Sequence, residues 1–116
     1  MNNSFYLGEL DELVLLTTAV LDSDGAYGFS VVKEIEQRIG RKLSLSAVHT
    51  VLYRLQDKGF LSSEIGGASK SRGGRRKRLF YVTQLGKHAI AKVKSQREVF
   101  WKEIGDLGFE MELIGI

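Results

Sequence analysis

The sequence contains neither cysteine nor proline in its 116 residues. The first absence removes disulfides, thiolate metal ligands and cysteine nucleophiles together, and it suits a reducing compartment. Histidine is scarce as well: His49 and His88 are predicted on different helices, and no HExxH or similar spacing joins them to other ligands. No nucleophile stands beside a base and no carboxylate pair is evident, so neither enzymatic chemistry nor a metal or other cofactor is expected. Long apolar runs are missing too. The most apolar stretch, Leu13 to Leu21, is interrupted by Thr17 and Thr18 and falls well short of the ~20 residues of a membrane span. Glu9, Asp11 and Glu12 precede it, where a secretory leader carries basic residues. It therefore reads as a buried helix in a soluble, cytoplasmic protein with no membrane partner.

What is present suffices for one core, since a hydrophobic content of 43% is near the globular average. From about Glu9 to Leu21 the apolar positions Leu13, Val14, Leu16, Ala19, Val20 and Leu21 cover most of a helical surface, which predicts a mostly buried first helix. Turn residues Asp22 to Gly25 follow. Val32, Ile35 and Ile39 then share one face of a second helix that Gly40 stops. Ser44 is a candidate N-cap for a third helix with a core stripe of Leu45, Val48, Leu52 and Leu55 and an end at Gly59. The opposite face carries Ser46, Ala47, Thr50, Tyr53 and Arg54 with few carboxylates near its start, whereas an ordinary solvated helix alternates Glu and Lys. A helix entering the major groove is slim where it meets base edges and carries donors rather than carboxylates. A plain surface helix is the competing reading of that face.

Phe60 to Ile65 and Leu79 to Thr83 read as strands, and a strong charge asymmetry lies between them. From Lys70 to Arg78 six of nine residues are Lys or Arg and none is acidic. With 17 basic and 14 acidic residues in the chain, the remainder without those six is net acidic by 3. A phosphate-contacting surface requires a local asymmetry of this kind, although solvated loops also carry such runs. Gly66, Gly67, Gly73 and Gly74 permit the turns of the hairpin, and no Gly-Lys-Ser/Thr opens a following helix as in a nucleotide-phosphate loop.

Thr83 can cap a fourth helix reaching about Ile104, with Leu85, Ala89, Val93, Phe100 and Ile104 along one side and Ile90 and Trp101 widening the apolar surface. That stripe exceeds the partner surface within one chain, so a homodimer interface of Leu85, Ala89, Val93, Phe100, Trp101 and Ile104 is expected. Trp101 beside Phe100 is also a candidate pocket for a small apolar or aromatic effector, although aromatics at helical spacing more often pack in a core or an interface. The tail from Gly105 to Ile116 has Phe109, Met111, Leu113 and Ile114 without a period, and is expected to pack against the rest.

The order of elements is that of a winged helix-turn-helix: mainly α with a small β-hairpin, then a long C-terminal dimerisation helix. The expected division is a DNA-binding unit over residues 1–83 and a dimerisation helix with its tail over 84–116. Four segments, LGELDELVLL, AYGFSVVKEIEQRIG, LSLSAVHTVLYRLQDKGFL and RGGRRKRLFYVTQLGK, in this order and spacing, resemble the PadR transcriptional regulators, the short-form members in particular, from about Leu7 to Val99. The resemblance implies a bacterial, dimeric DNA-binding repressor whose C-terminal helix pairs with its twin, and whose affinity for DNA a small molecule can lower. It also implies an N-terminal share in the dimer around Phe5 and Tyr6. Where the family commonly has a tyrosine, in a pattern like Ala-Leu-Tyr-Thr, this chain has Ala47, Val48, His49 and Thr50, so the contact there is an imidazole of shorter reach.

The expected partner is double-stranded DNA bearing an inverted-repeat operator, with half-sites about one turn, roughly 34 Å, apart. Ser44, Ser46, Ala47, His49, Thr50, Tyr53 and Arg54 are expected at the major groove, and Lys70, Arg72, Arg75, Arg76 and Lys77 at phosphates or the minor groove. The basic run fits an RNA-binding or ribosome-associated module without an operator as well. A dimer built mainly to bind a ligand near Trp101 is a third reading.

Overall fold

The computed structural model describes residues 7–66 and 76–104, in the order α1 (Glu9–Leu21), α2 (Gly28–Ile39), α3 (Leu45–Asp57), β1 (Leu61–Ile65), β2 (Arg78–Val82) and α4 (Gln84–Glu103). Val14 and Leu15 of α1, Val31 and Ile35 of α2, and Val48, Val51, Leu52 and Leu55 of α3 meet in one core. The two threonines that interrupt the apolar run of α1 are themselves buried, and each hydroxyl donates to a carbonyl one turn back, Thr17 to Leu13 and Thr18 to Val14, both at 2.8 Å. They therefore enter the core without an unmet hydrogen bond. The outer side of α1 is more open than its composition predicts, because Leu16, Ala19 and Val20 are exposed.

Each helix end has a local cause. Gly40 caps α2 in the left-handed conformation at φ 71°, which costs a glycine little. Its neighbour Ile39, expected on the core face, is 59% exposed because it lies in the last position of the helix. Ser44 caps α3, its hydroxyl accepting from the Ala47 N–H at 3.1 Å. Leu45, expected in the core stripe, is 44% exposed; it is the first residue of α3 and lies against Gly28, which has no side chain to cover it. Val51 joins the stripe in its stead.

The hairpin is antiparallel, pairing Leu61 with Val82, Ser63 with Phe80 and Ile65 with Arg78. Its strands sit one residue away from the expected bounds. Phe60 is the buried bend before β1, and Thr83 leaves β2 to cap α4. The Phe80 N–H also bonds to the Ala26 carbonyl at 2.8 Å, so the chain just before α2 joins the hairpin through one bridge. The Thr83 hydroxyl donates to the Gly59 carbonyl at 2.6 Å and accepts from the Gly86 N–H at 3.0 Å, which fixes the start of α4 to the turn after α3.

The first turns of α4 press onto the same core, with Gly86 and Ala89 both buried. Ala89, expected at a dimer interface, is fully shielded inside the protomer and has no surface to offer a partner. Residues 94–103 are exposed. Among the described residues no helix is long and apolar enough to cross a membrane. The expected contributions of Phe5 and Tyr6, and of the tail from Gly105 to Ile116, lie outside the described residues.

Candidate nucleic-acid interface

The exposed surface of α3 begins at its cap. Ser44, Ser46, His49 and Thr50 are exposed and Ala47 is half-buried. The first turn holds no acidic residue, and Asp57 at the end is the only carboxylate on the helix. His49 rests on bare backbone: a β-carbon placed on Gly28 would lie 2.3 Å from its Nε2. Its ring centroid is 6.3 Å from that of Tyr53, which in turn meets Phe80 of β2 edge-on at 5.6 Å and 78°. The row of three rings ties the outer side of α3 to the hairpin, with Tyr53 still partly open to solvent.

Arg54 is exposed and is also held from α1. Its guanidinium grips Asp11 of α1, with Nη2 to Oδ1 at 2.6 Å and Nε to Oδ2 at 3.4 Å, and Lys58 brings its ammonium to 3.6 Å from the same carboxylate. The hydrogen bond to Asp11 raises the Arg54 pKa above its ordinary value, with partial desolvation working against it. Arg54 thus sets α3 against α1 while its side chain stays 46% exposed, and leaving Asp11 would strand a buried carboxylate. Nothing in the spacing announced Asp11 as its partner; the signal available was an acid on the buried side of an apolar helix, which requires one. The next residue, Glu12, pairs with Arg97 of α4 at 2.5 and 3.2 Å. Adjacent carboxylates on α1 thus hold α3 and α4.

Of the basic hairpin residues, Lys70, Arg72 and Arg75 lie outside the described residues. Arg76 is exposed. Lys77 is exposed as well, with its ammonium 4.5 Å from the centroid of the Tyr27 ring, just before α2. Arg78 is a strut: it donates to Ser63 Oγ at 3.0 Å, and that hydroxyl donates to Gln56 Oε1 of α3. Tyr27 went unnoticed in the sequence because only folding brings the start of α2 beside the hairpin.

Between α1 and α4 runs a groove of about 290 Å³ lined by Glu12, Leu16, Ile90, Val93, Lys94, Arg97, Glu98 and Trp101. Trp101, 57% exposed, lines it, whereas Phe100, 71% exposed, does not. The two were expected to share a pocket, but consecutive residues on a helix point about 100° apart. Leu85 is exposed, Val93 and Ile104 are half-buried, and Val99 stands open beside Phe100.

Three helices followed by an antiparallel hairpin, with a capped polar-faced third helix, define a winged helix-turn-helix protein. The model of the transcriptional regulator PadR-like family matches residues 18–92, well over half the chain. The chain belongs to that family, whose members are transcription regulators and not enzymes. Solved structures agree in fold. A PadR family regulator from Clostridium difficile superposes with a TM-score of 0.68 at 20% identity, covering 86% of this chain and 98% of that chain. One from Eggerthella lenta gives 0.65 at 26% identity and covers 85% of each chain. Bacillus subtilis PadR, solved in complex with operator DNA, gives 0.59 at 18% identity, covering 72% of this chain and 45% of that one. No curated protein matches the sequence.

Proposed function

We propose that the chain is a homodimeric transcriptional repressor that binds an inverted-repeat operator, with α3 in the major groove and the hairpin on phosphates or in the adjacent minor groove. The observation that carries this reading is the start of α3, where Ser46, His49 and Thr50 are exposed behind the Ser44 cap and no carboxylate precedes Asp57. Phosphates would repel a carboxylate there. The operator DNA held by Bacillus subtilis PadR supports the same partner for this fold. Ser44, Ser46, Ala47, His49 and Thr50 read base edges, Tyr53 braces the hairpin, and Arg76 and Lys77 hold the backbone together with Lys70, Arg72 and Arg75.

Dimerisation falls to the outer half of α4, where Val99, Phe100 and Trp101 are exposed. The groove beside Trp101 takes a planar apolar effector that loosens the dimer's hold on DNA. Competition among an enriched operator, random duplex and single-stranded RNA at two salt concentrations tests the partner. With about three phosphates engaged per protomer, affinity falls on the order of 10³-fold between about 50 and about 200 mM salt. The operator should win at both concentrations. RNA that competes equally, or a flat salt response, would contradict the proposal.

A further inference from the structure

Resting on the DNA-binding reading above, we propose that Leu45 is a specificity residue that reads the 5-methyl group of thymine in the major groove. By periodicity Leu45 belongs to the core stripe of α3, yet it is 44% exposed as the first residue of that helix. Its inner side is braced: a β-carbon placed on Gly28 would lie 3.0 Å from Leu45 Cδ1, and 2.3 and 2.7 Å from His49 Nε2 and Cδ2. One bare spot at the start of α2 thus seats both side chains and sets how far Leu45 projects.

In a helix-turn-helix the N-terminal residues of the recognition helix contact base edges. The one apolar group that a base presents in the major groove is the methyl of thymine. Leu45 has nothing to donate or accept, while its exposed neighbours Ser44, Ser46, His49 and Thr50 are all polar. Hydrogen-bond readout belongs to them, and the apolar contact to Leu45. A single exposed leucine is common on any protein surface, so the discriminating property is dependence on the methyl group itself.

The test enriches a bound sequence from a random duplex pool and then replaces its thymines one at a time with deoxyuridine. Uracil keeps the pairing and the O4 acceptor, so hydrogen-bonding side chains do not sense the change. Removing one buried methyl group weakens binding roughly fourfold at the thymine that Leu45 meets. In Leu45→Ala that thymine and its deoxyuridine counterpart bind equally, in a variant whose fold is checked by circular dichroism. Equal binding at every position in the wild type, or an operator without thymine in its half-sites, overturns the proposal. So does an unchanged deoxyuridine effect in Leu45→Ala, which would give the methyl to Ala47 or Thr50. Those results leave duplex recognition standing, whereas a pool that yields no enriched duplex removes the DNA-binding reading and this proposal with it.

Discussion

A methyl group added at Gly86 and one added at Gly28 meet different neighbours. At Gly86 it would lie 2.2 Å from the Phe60 carbonyl oxygen and 2.8 Å from Val82 Cγ1. Backbone cannot step aside, so Gly86→Ala should cost about 1–3 kcal/mol in urea denaturation. At Gly28 its nearest neighbours would be side-chain ends, those of His49 and Leu45. Gly28→Ala should therefore stay within about 1 kcal/mol of wild-type stability, helped by better helix propensity, while operator affinity falls and random-duplex affinity does not. A folded variant that keeps its preference for operator would show that Gly28 does not seat His49 and Leu45 for base contact. At this scale the sequence was least informative. It identified Ser46 and Thr50 as surface groups of α3 by their phase, but it placed Leu45 inside, because periodicity does not show that a helix end lies beyond the core. Nor did it show the partner of Arg54: phase puts that residue on the face opposite the core stripe, and only the approach of α1, 43 residues away in sequence, supplies Asp11.

Among elements, α1 is the common neighbour, with Asp11 holding α3 and Glu12 holding α4. Asp11→Asn leaves Arg54 and Lys58 facing a neutral amide. Because both cations are partly exposed, the expected loss is about 1–2 kcal/mol rather than the larger cost of a fully buried pair. Chemical denaturation of the variant measures it. Across the hairpin, Tyr81 donates to Glu64 at 3.3 Å, and desolvation first, then the Glu64 charge, raise the phenol above its ordinary pKa of 10.0. The folded state thus holds this proton more tightly than the unfolded chain. Its contribution is complete below about pH 10 and is lost as pH rises through the raised value. Tyr81→Phe should flatten that alkaline decline slightly, since the pair is solvent-screened; an unchanged curve would place the decline elsewhere. Element bounds were legible wherever a cap stood in the sequence: Ser44, Thr83 and Gly40 each mark an end that the structure confirms. Packing partners were not, which is why Ala89 was assigned to an interface although α4 presses it into its own core.

For the whole molecule, the charge balance separates two tasks. The basic excess lies in the hairpin run while the rest of the chain is net acidic, and the proposed function assigns phosphate affinity and sequence choice to different elements accordingly. The proposed dimer would use the outer half of α4. Phe100→Asp should sediment as a monomer where the wild type sediments as a dimer, and the wild-type melting temperature should rise with protein concentration while that of the variant does not. Equal sedimentation would move the interface elsewhere. The most direct measurement compares Thr50→Ala with Arg76→Ala combined with Lys77→Ala on operator and on random duplex. Thr50→Ala should weaken the operator alone, and the double variant should weaken both duplexes alike and lower the salt slope by about 1 for each phosphate no longer neutralised. Equal losses on both duplexes from both sets of substitutions would contradict a third helix that reads sequence beside a wing that supplies affinity.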